Sequence, residues 1–245
     1  MLISQLVGMT IALVIALIRG EAFPATVDLG WSVVGGVLGV IGISSLYRAL
    51  AVGRMGIVAP VTGLLAAVVP VAAGFVLEGL LAPMVVLGIG LAMTSVVLVT
   101  RSDDGGTGRD GLGLAVVAGL SIGLFDVVLA QISDGSVFAP LTVVRATEGL
   151  LIMAVVLVTR AAWRPPRSLV PGIVGVGVAD MAGNAGFILA VQTGALAVAA
   201  VLSSLYPVAT IILATIFLRE PVTRSHAAGI GLAVVAIILI GSGSA

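Results

Sequence analysis

Nine stretches of this chain are each about as long as a membrane-crossing helix, and together they are too apolar for any solvent but lipid. Crossing ~30 Å of hydrocarbon takes ~20 mostly apolar residues in a helix. The stretches fall near Met1–Ile18, Gly30–Tyr47, Gly56–Leu77, Pro83–Thr100, Gly111–Gln131, Phe138–Thr159, Leu169–Gln192, Leu196–Leu218 and His226–Ile240. The chain is 60% hydrophobic and 9% charged, with a mean hydropathy of +1.32. A soluble domain of 245 residues has no core large enough to hide that surface. The expected fold is therefore an all-α polytopic membrane protein. The first run ends at Arg19 without a basic leader, so it reads as a span rather than a cleaved signal.

The same composition excludes several functions. The eleven basic residues are all Arg and the formal net charge is zero, so no nucleic-acid partner is expected. Cysteine is absent, which rules out disulfides and thiolate metal sites. The single histidine, His226, stands at a loop–helix junction with no ligand pattern around it. No Gly-x-Ser-x-Gly or His-Glu-x-x-His motif occurs, so an enzyme is not expected, and neither is a cofactor or a metal.

An internal repeat organises the spans. Gly88-Ile89-Gly90-Leu91-Ala92 recurs as Gly229-Ile230-Gly231-Leu232-Ala233, and Pro70-Val71-Ala72 is answered by Pro207-Val208-Ala209. Phe75-Val76-Leu77-Glu78 is answered by Phe217-Leu218-Arg219-Glu220. The Gly-Ile-Gly-Leu-Ala copies lie in the fourth and ninth spans, and an odd step along the chain reverses direction. That makes an inverted-topology repeat, four spans plus five, an arrangement that points to transporters with a site between the halves. The halves are expected at 1–100 and 111–245, joined by a polar linker at 101–110.

Arginine placement suggests an orientation. One side of the membrane collects Arg48, Arg54, Arg101, Arg109, Arg160, Arg164, Arg167, Arg219 and Arg224; the other collects Arg19, and Arg145 lies within a span. The positive-inside rule makes the Arg-rich side cytoplasmic, with Met1 inside and Ala245 outside.

Polar side chains inside spans are costly and therefore informative. Asp180 lies near the middle of the seventh span, with Asn184 one turn on along the same face. They read either as a cavity-facing acid with an orienting amide, for substrate or a proton, or as an interhelical packing pair. Arg145 and Glu148, three apart in the sixth span, can pair along one face, as a gate or anion contact or simply to cancel charge. Asp126, near the end of the fifth span, reads as interfacial. Pro70 and Pro207 are expected to interrupt corresponding helices, with the Tyr206 hydroxyl beside the second break. Matched breaks mark a binding site, or else simple kinks. Glycines at 35, 36, 39, 42, 119 and 123 read as close-packing faces, and they also offer a surface for a homodimer.

Asp180 to Asn184, then Leu202-Ser203-Ser204-Leu205-Tyr206-Pro207-Val208-Ala209-Thr210, Leu218-Arg219-Glu220-Pro221 and Gly229 resemble the EamA domain of the drug/metabolite transporter (DMT) superfamily. The first half echoes it in Leu46-Tyr47-Arg48-Ala49-Leu50, Ala59-Pro60-Val61, Val69-Pro70-Val71 and Leu77-Glu78. The resemblance implies two inverted five-helix halves around a central cavity. It also implies transport, often export, of small metabolites, amino acids or drugs across the inner (cytoplasmic) membrane. The family's first helix, with its Trp-Gly-Ser-like motif, has no counterpart, so Met1 stands where the second helix begins. A late start and a natural nine-span form are the two readings. The family's termini are usually cytoplasmic, against the Arg distribution. The expected function is a secondary transporter or exporter working by alternating access, with a small solute and the bilayer as partners. The alternative is a non-transporting membrane subunit or scaffold that needs a partner chain.

Overall fold

A computed structural model describes residues 1–53, 55–79, 81–100, 111–160, 165–205 and 224–243. The linker at 101–110, and Tyr206 and Pro207, lie outside the described residues. The helices are α1 (Leu2–Arg19), α2 (Thr26–Val52), α3 (Met55–Leu77), α4 (Pro83–Thr100), α5 (Leu112–Leu129), α6 (Phe138–Thr159), α7 (Val170–Thr193), α8 (Leu196–Ser204) and α9 (Arg224–Gly243). The chain is all-α and polytopic, as expected. Among the described residues, α1, α2, α5, α6 and the segment Arg167–Thr193 are long and apolar enough to cross a membrane. Large apolar side chains such as Ile18, Leu150 and Val158 stand exposed on these helices, as a lipid-facing surface requires.

The chain forms two compact units, each drawing helices from both sides of the 101–110 segment. The first comprises Met1–Ile41 and Phe125–Thr193. Here α1 packs on α6 and α7. Gln5 of α1 reaches Arg145 of α6, and Arg19 lies over Phe138, so the two helices run antiparallel. Gly177 lets α7 close on α1, because a Cβ there would stand 2.7 Å from the Ser4 carbonyl oxygen. Helix α1 ends at Gly20, whose φ of 67° is left-handed and suits glycine. The Glu21 N–H turns back to the Ala16 carbonyl, which brings the Glu21 carboxylate to the start of α6.

The second unit comprises Gly42–Leu124 and Gly194–Ala245. In it α3 packs on α8 and α4, and α4 packs on α9. The helices that carry the two Gly-Ile-Gly-Leu-Ala copies pack on each other there. A Cβ on Gly88 would press on Ile240 and the Ala236 carbonyl, while Ser95 Oγ donates to the Gly229 carbonyl at 2.6 Å. Gly88 thus faces Ala236 and Gly229 faces Ser95, each seven residues beyond the other copy's first glycine. Helices α4 and α9 are antiparallel and related by an approximate two-fold, as an inverted repeat demands. Among the described helices, the one five places later is also the partner of α1 (α6) and of α3 (α8).

The glycine faces are packing surfaces. Gly36 and Gly39 meet α6 in the first unit; Gly42 meets α5, and Gly119 and Gly123 meet α3, in the second. Pro70 corrects one expectation. It does not interrupt its helix: α3 runs unbroken from Met55 to Leu77 with Pro70 buried inside it. A membrane helix tolerates proline where neighbouring groups take up the freed backbone carbonyl.

Candidate functional site

The polar centre of the first unit is built on Arg145. Helix α6 carries it two turns in from the helix start, and 2% of the residue is exposed. Its Nη1 lies 2.9 Å from Glu148 Oε2, 2.7 Å from Asp180 Oδ2 and 2.7 Å from Gln5 Oε1. Three helices, α1, α6 and α7, therefore converge on one guanidinium nitrogen. That nitrogen has two hydrogens, so three acceptors cannot all be fully met at once.

At the opposite edge of the same group, Nε and Nη2 are buried and have no hydrogen-bond partner among the described residues. Gly8 lies alongside, where an added Cβ would stand 3.4 Å from Nε. An unmet donor in a low-dielectric interior is expensive, and more so on a charged group. Acceptors crowd one edge of Arg145, while the donors of the other edge are buried without acceptors. Gly39 of α2 completes the setting, since any Cβ there would collide with Glu148 Oε1.

Burial divides the two acids. Glu148 is buried to the same degree as Arg145, whereas the Asp180 side chain is 47% exposed. Near the middle of a membrane-crossing helix, an exposed carboxylate facing hydrocarbon would be very unfavourable, so its open side suits a wetted cavity. One positive group thus faces two carboxylates, one enclosed and one accessible.

Of the residues singled out from sequence, Arg145, Glu148 and Asp180 come together. Asn184 lies half-buried one turn beyond Asp180 and makes no side-chain hydrogen bond with a described residue. Pro70 belongs to the second unit, and Tyr206 and Pro207 lie outside the described residues. Asp126 is half-buried on α5 and forms no ion pair with a described residue. Sequence reasoning missed Gln5. Its signal was present: it is the one side-chain amide in the first apolar run. No group of His, Cys, Asp and Glu able to hold a metal occurs among the described residues.

A family model described as the EamA-like transporter family matches residues 109–242. Comparison with curated proteins finds no match. A solved crystal structure of a protein aligns at a TM-score of 0.79 and 18% identity, covering 99% of this chain and 86% of the other. At that identity the likeness speaks for the fold alone.

Proposed function

The chain belongs to the EamA-like transporter family, and on that premise we propose that it is a secondary transporter or exporter of small metabolites. Amino acids or related solutes crossing the cytoplasmic membrane by alternating access are the reading the chemistry favours. No nucleotide-binding motif occurs in the sequence, so a gradient or an exchange drives the cycle.

The observation that carries this reading is Arg145, buried, shared by two carboxylates and an amide, and unpartnered at Nε and Nη2. The free edge has the fork geometry that takes a solute carboxylate through two parallel hydrogen bonds. The half-exposed Asp180 suits an ammonium group or a proton, with Asn184 one turn away as an orienting amide. Glu148 holds the guanidinium when no solute is bound. Asp180 is the residue on which coupling depends most, because it alone of the three is both charged and accessible.

The test is uptake and efflux of a panel of labelled amino acids in proteoliposomes. The expected result is movement of at least one solute, and its loss or uncoupling in Asp180→Asn. Unaltered transport by that variant would remove Asp180 from the mechanism. A wild-type protein that moves no member of the panel would overturn the amino-acid reading.

A further inference from the structure

At one end of the first unit, the ends of α1, α2 and α7 are tied to the start of α6 and the loop before it. Glu21 Oε2, just past α1, accepts from the backbone N–H groups of Val137 (3.3 Å), Phe138 (2.8 Å) and Ala139 (2.8 Å). Asp28, buried in the first turn of α2, accepts from the N–H and Oγ of Ser133 at 3.1 and 3.0 Å. From the end of α7, Gln192 Nε2 donates to the carbonyls of Ser133 and Ser136 at 3.1 and 3.2 Å. Arg19 completes the set, 3.3 Å from Glu21 Oε1 and over the Phe138 ring. At the opposite end, among the described residues, the side-chain bonds stay within one helix, as in Ser4 to Met1 and Thr159 to Val155.

Glu21 matters most in this stitching because of what α6 lacks. The first N–H groups of any helix have no partner within it. Here the capping position is Val137, which has no side-chain acceptor, and Pro140 has no N–H to offer. The three remaining donors all turn to Glu21. An anion at a helix N-terminus also gains from the helix dipole. The α6 cap is therefore supplied from another helix, and it tethers α1 to α6. A tether at the membrane–water boundary can be released, since water replaces the carboxylate at the same three N–H groups.

The transport reading above requires a second route to the buried Arg145. From Phe138 to Arg145 is seven residues, roughly 10 Å along the helix. The Asp180 side chain is already half-exposed. We infer that Glu21 is the latch of a gate at this Arg-poor end: its contact with the α6 N-terminus holds α1 against α6, and its release opens the way to Arg145. Glu21 touches no solute; it is a positioning residue that sets which state the unit occupies. The Arg distribution makes this the outer gate.

The chain has no cysteine, so a single introduced one reports cleanly. Ala12, fully buried on α1 between Gly8 and the latch, reports the gate, and Ala115, fully buried in the second unit, reports global loosening. Each is replaced by Cys and its maleimide labelling rate measured in the full-length protein in detergent. Glu21→Ala should raise labelling of A12C more than tenfold and leave A115C within twofold. Glu21→Gln, which keeps an acceptor oxygen, should raise A12C less. Glu78 caps α8 through the Leu196 N–H in the second unit, so Glu78→Ala should leave A12C unchanged. Equal A12C labelling with and without Glu21 overturns the latch, and so does a parallel rise at A12C and A115C, which would make Glu21 a structural cap. The labelling needs no solute, so failure of wild-type transport would count against the transport reading alone.

Discussion

Replacing Arg145 by Leu separates the stability of the polar centre from its use. The substitution strips Glu148, Gln5 and Asp180 of a shared partner at 2.9, 2.7 and 2.7 Å. Breaking a buried ion pair by removing one member destabilises by about 3–5 kcal/mol. Two effects reduce that here. Arg145→Leu also eliminates the unmet donors Nε and Nη2, each of which costs about 1–3 kcal/mol in place. The Asp180 end of the network is half-exposed, so its share is screened. The net loss is at most about 3 kcal/mol, with stranding of Glu148 as its main source. Removing both charges with Arg145→Leu/Glu148→Leu should bring stability back to within about 1 kcal/mol of the wild type, since apolar replacement of a buried pair is often neutral. Transport should be abolished in both variants. The assay is a double-mutant cycle of reversible unfolding in mixed micelles, run beside proteoliposome transport. A double variant as destabilised as the sum of its singles would refute the reasoning. So would a double variant that still transports.

Other substitutions test the close approaches at glycines and the accessible acid. Gly39→Ala puts a Cβ into Glu148 Oε1 and should depress transport severalfold, whereas Gly30→Ala on the same helix meets nothing and should be silent; comparing their transport rates checks both. Gly88→Ala presses on Ile240 at 2.8 Å and should destabilise by about 1–3 kcal/mol. Gly90→Ala, in open space two residues on, should be neutral or gain up to about 1 kcal/mol from helix propensity; thermal unfolding of the pair decides. Asp180→Asn should shift unfolding by less than about 1 kcal/mol, because the group is half-exposed, and still remove coupled transport.

Much of the architecture was legible along the chain. The expected limits of the fourth and sixth spans, Pro83–Thr100 and Phe138–Thr159, are those of α4 and α6. The repeat glycines foretold two helices of opposite direction, and Gly88 and Gly229 do lie in an antiparallel pair. The Arg145–Glu148 pair was readable too, because a spacing of three along a helix sets a contact by local geometry. Pro70 lies within an unbroken helix, since proline in a sequence signals a missing N–H but not whether neighbours compensate.

An all-α, polytopic set of apolar helices is legible from the chain alone, because span length is a property of local hydropathy. That Arg145 faces Asp180 and Gln5, 35 and 140 residues away along the chain, is visible in the folded protein and not in the chain. The tertiary structure alone decided that Glu21 caps a helix more than a hundred residues downstream. The physical reason is the solvent. In lipid both the buried and the exposed faces of a helix are apolar, so the hydrophobic pattern that orients a helix in water carries little orienting information here. Which faces meet is settled by close approach at glycines and by the few polar groups that must find one another.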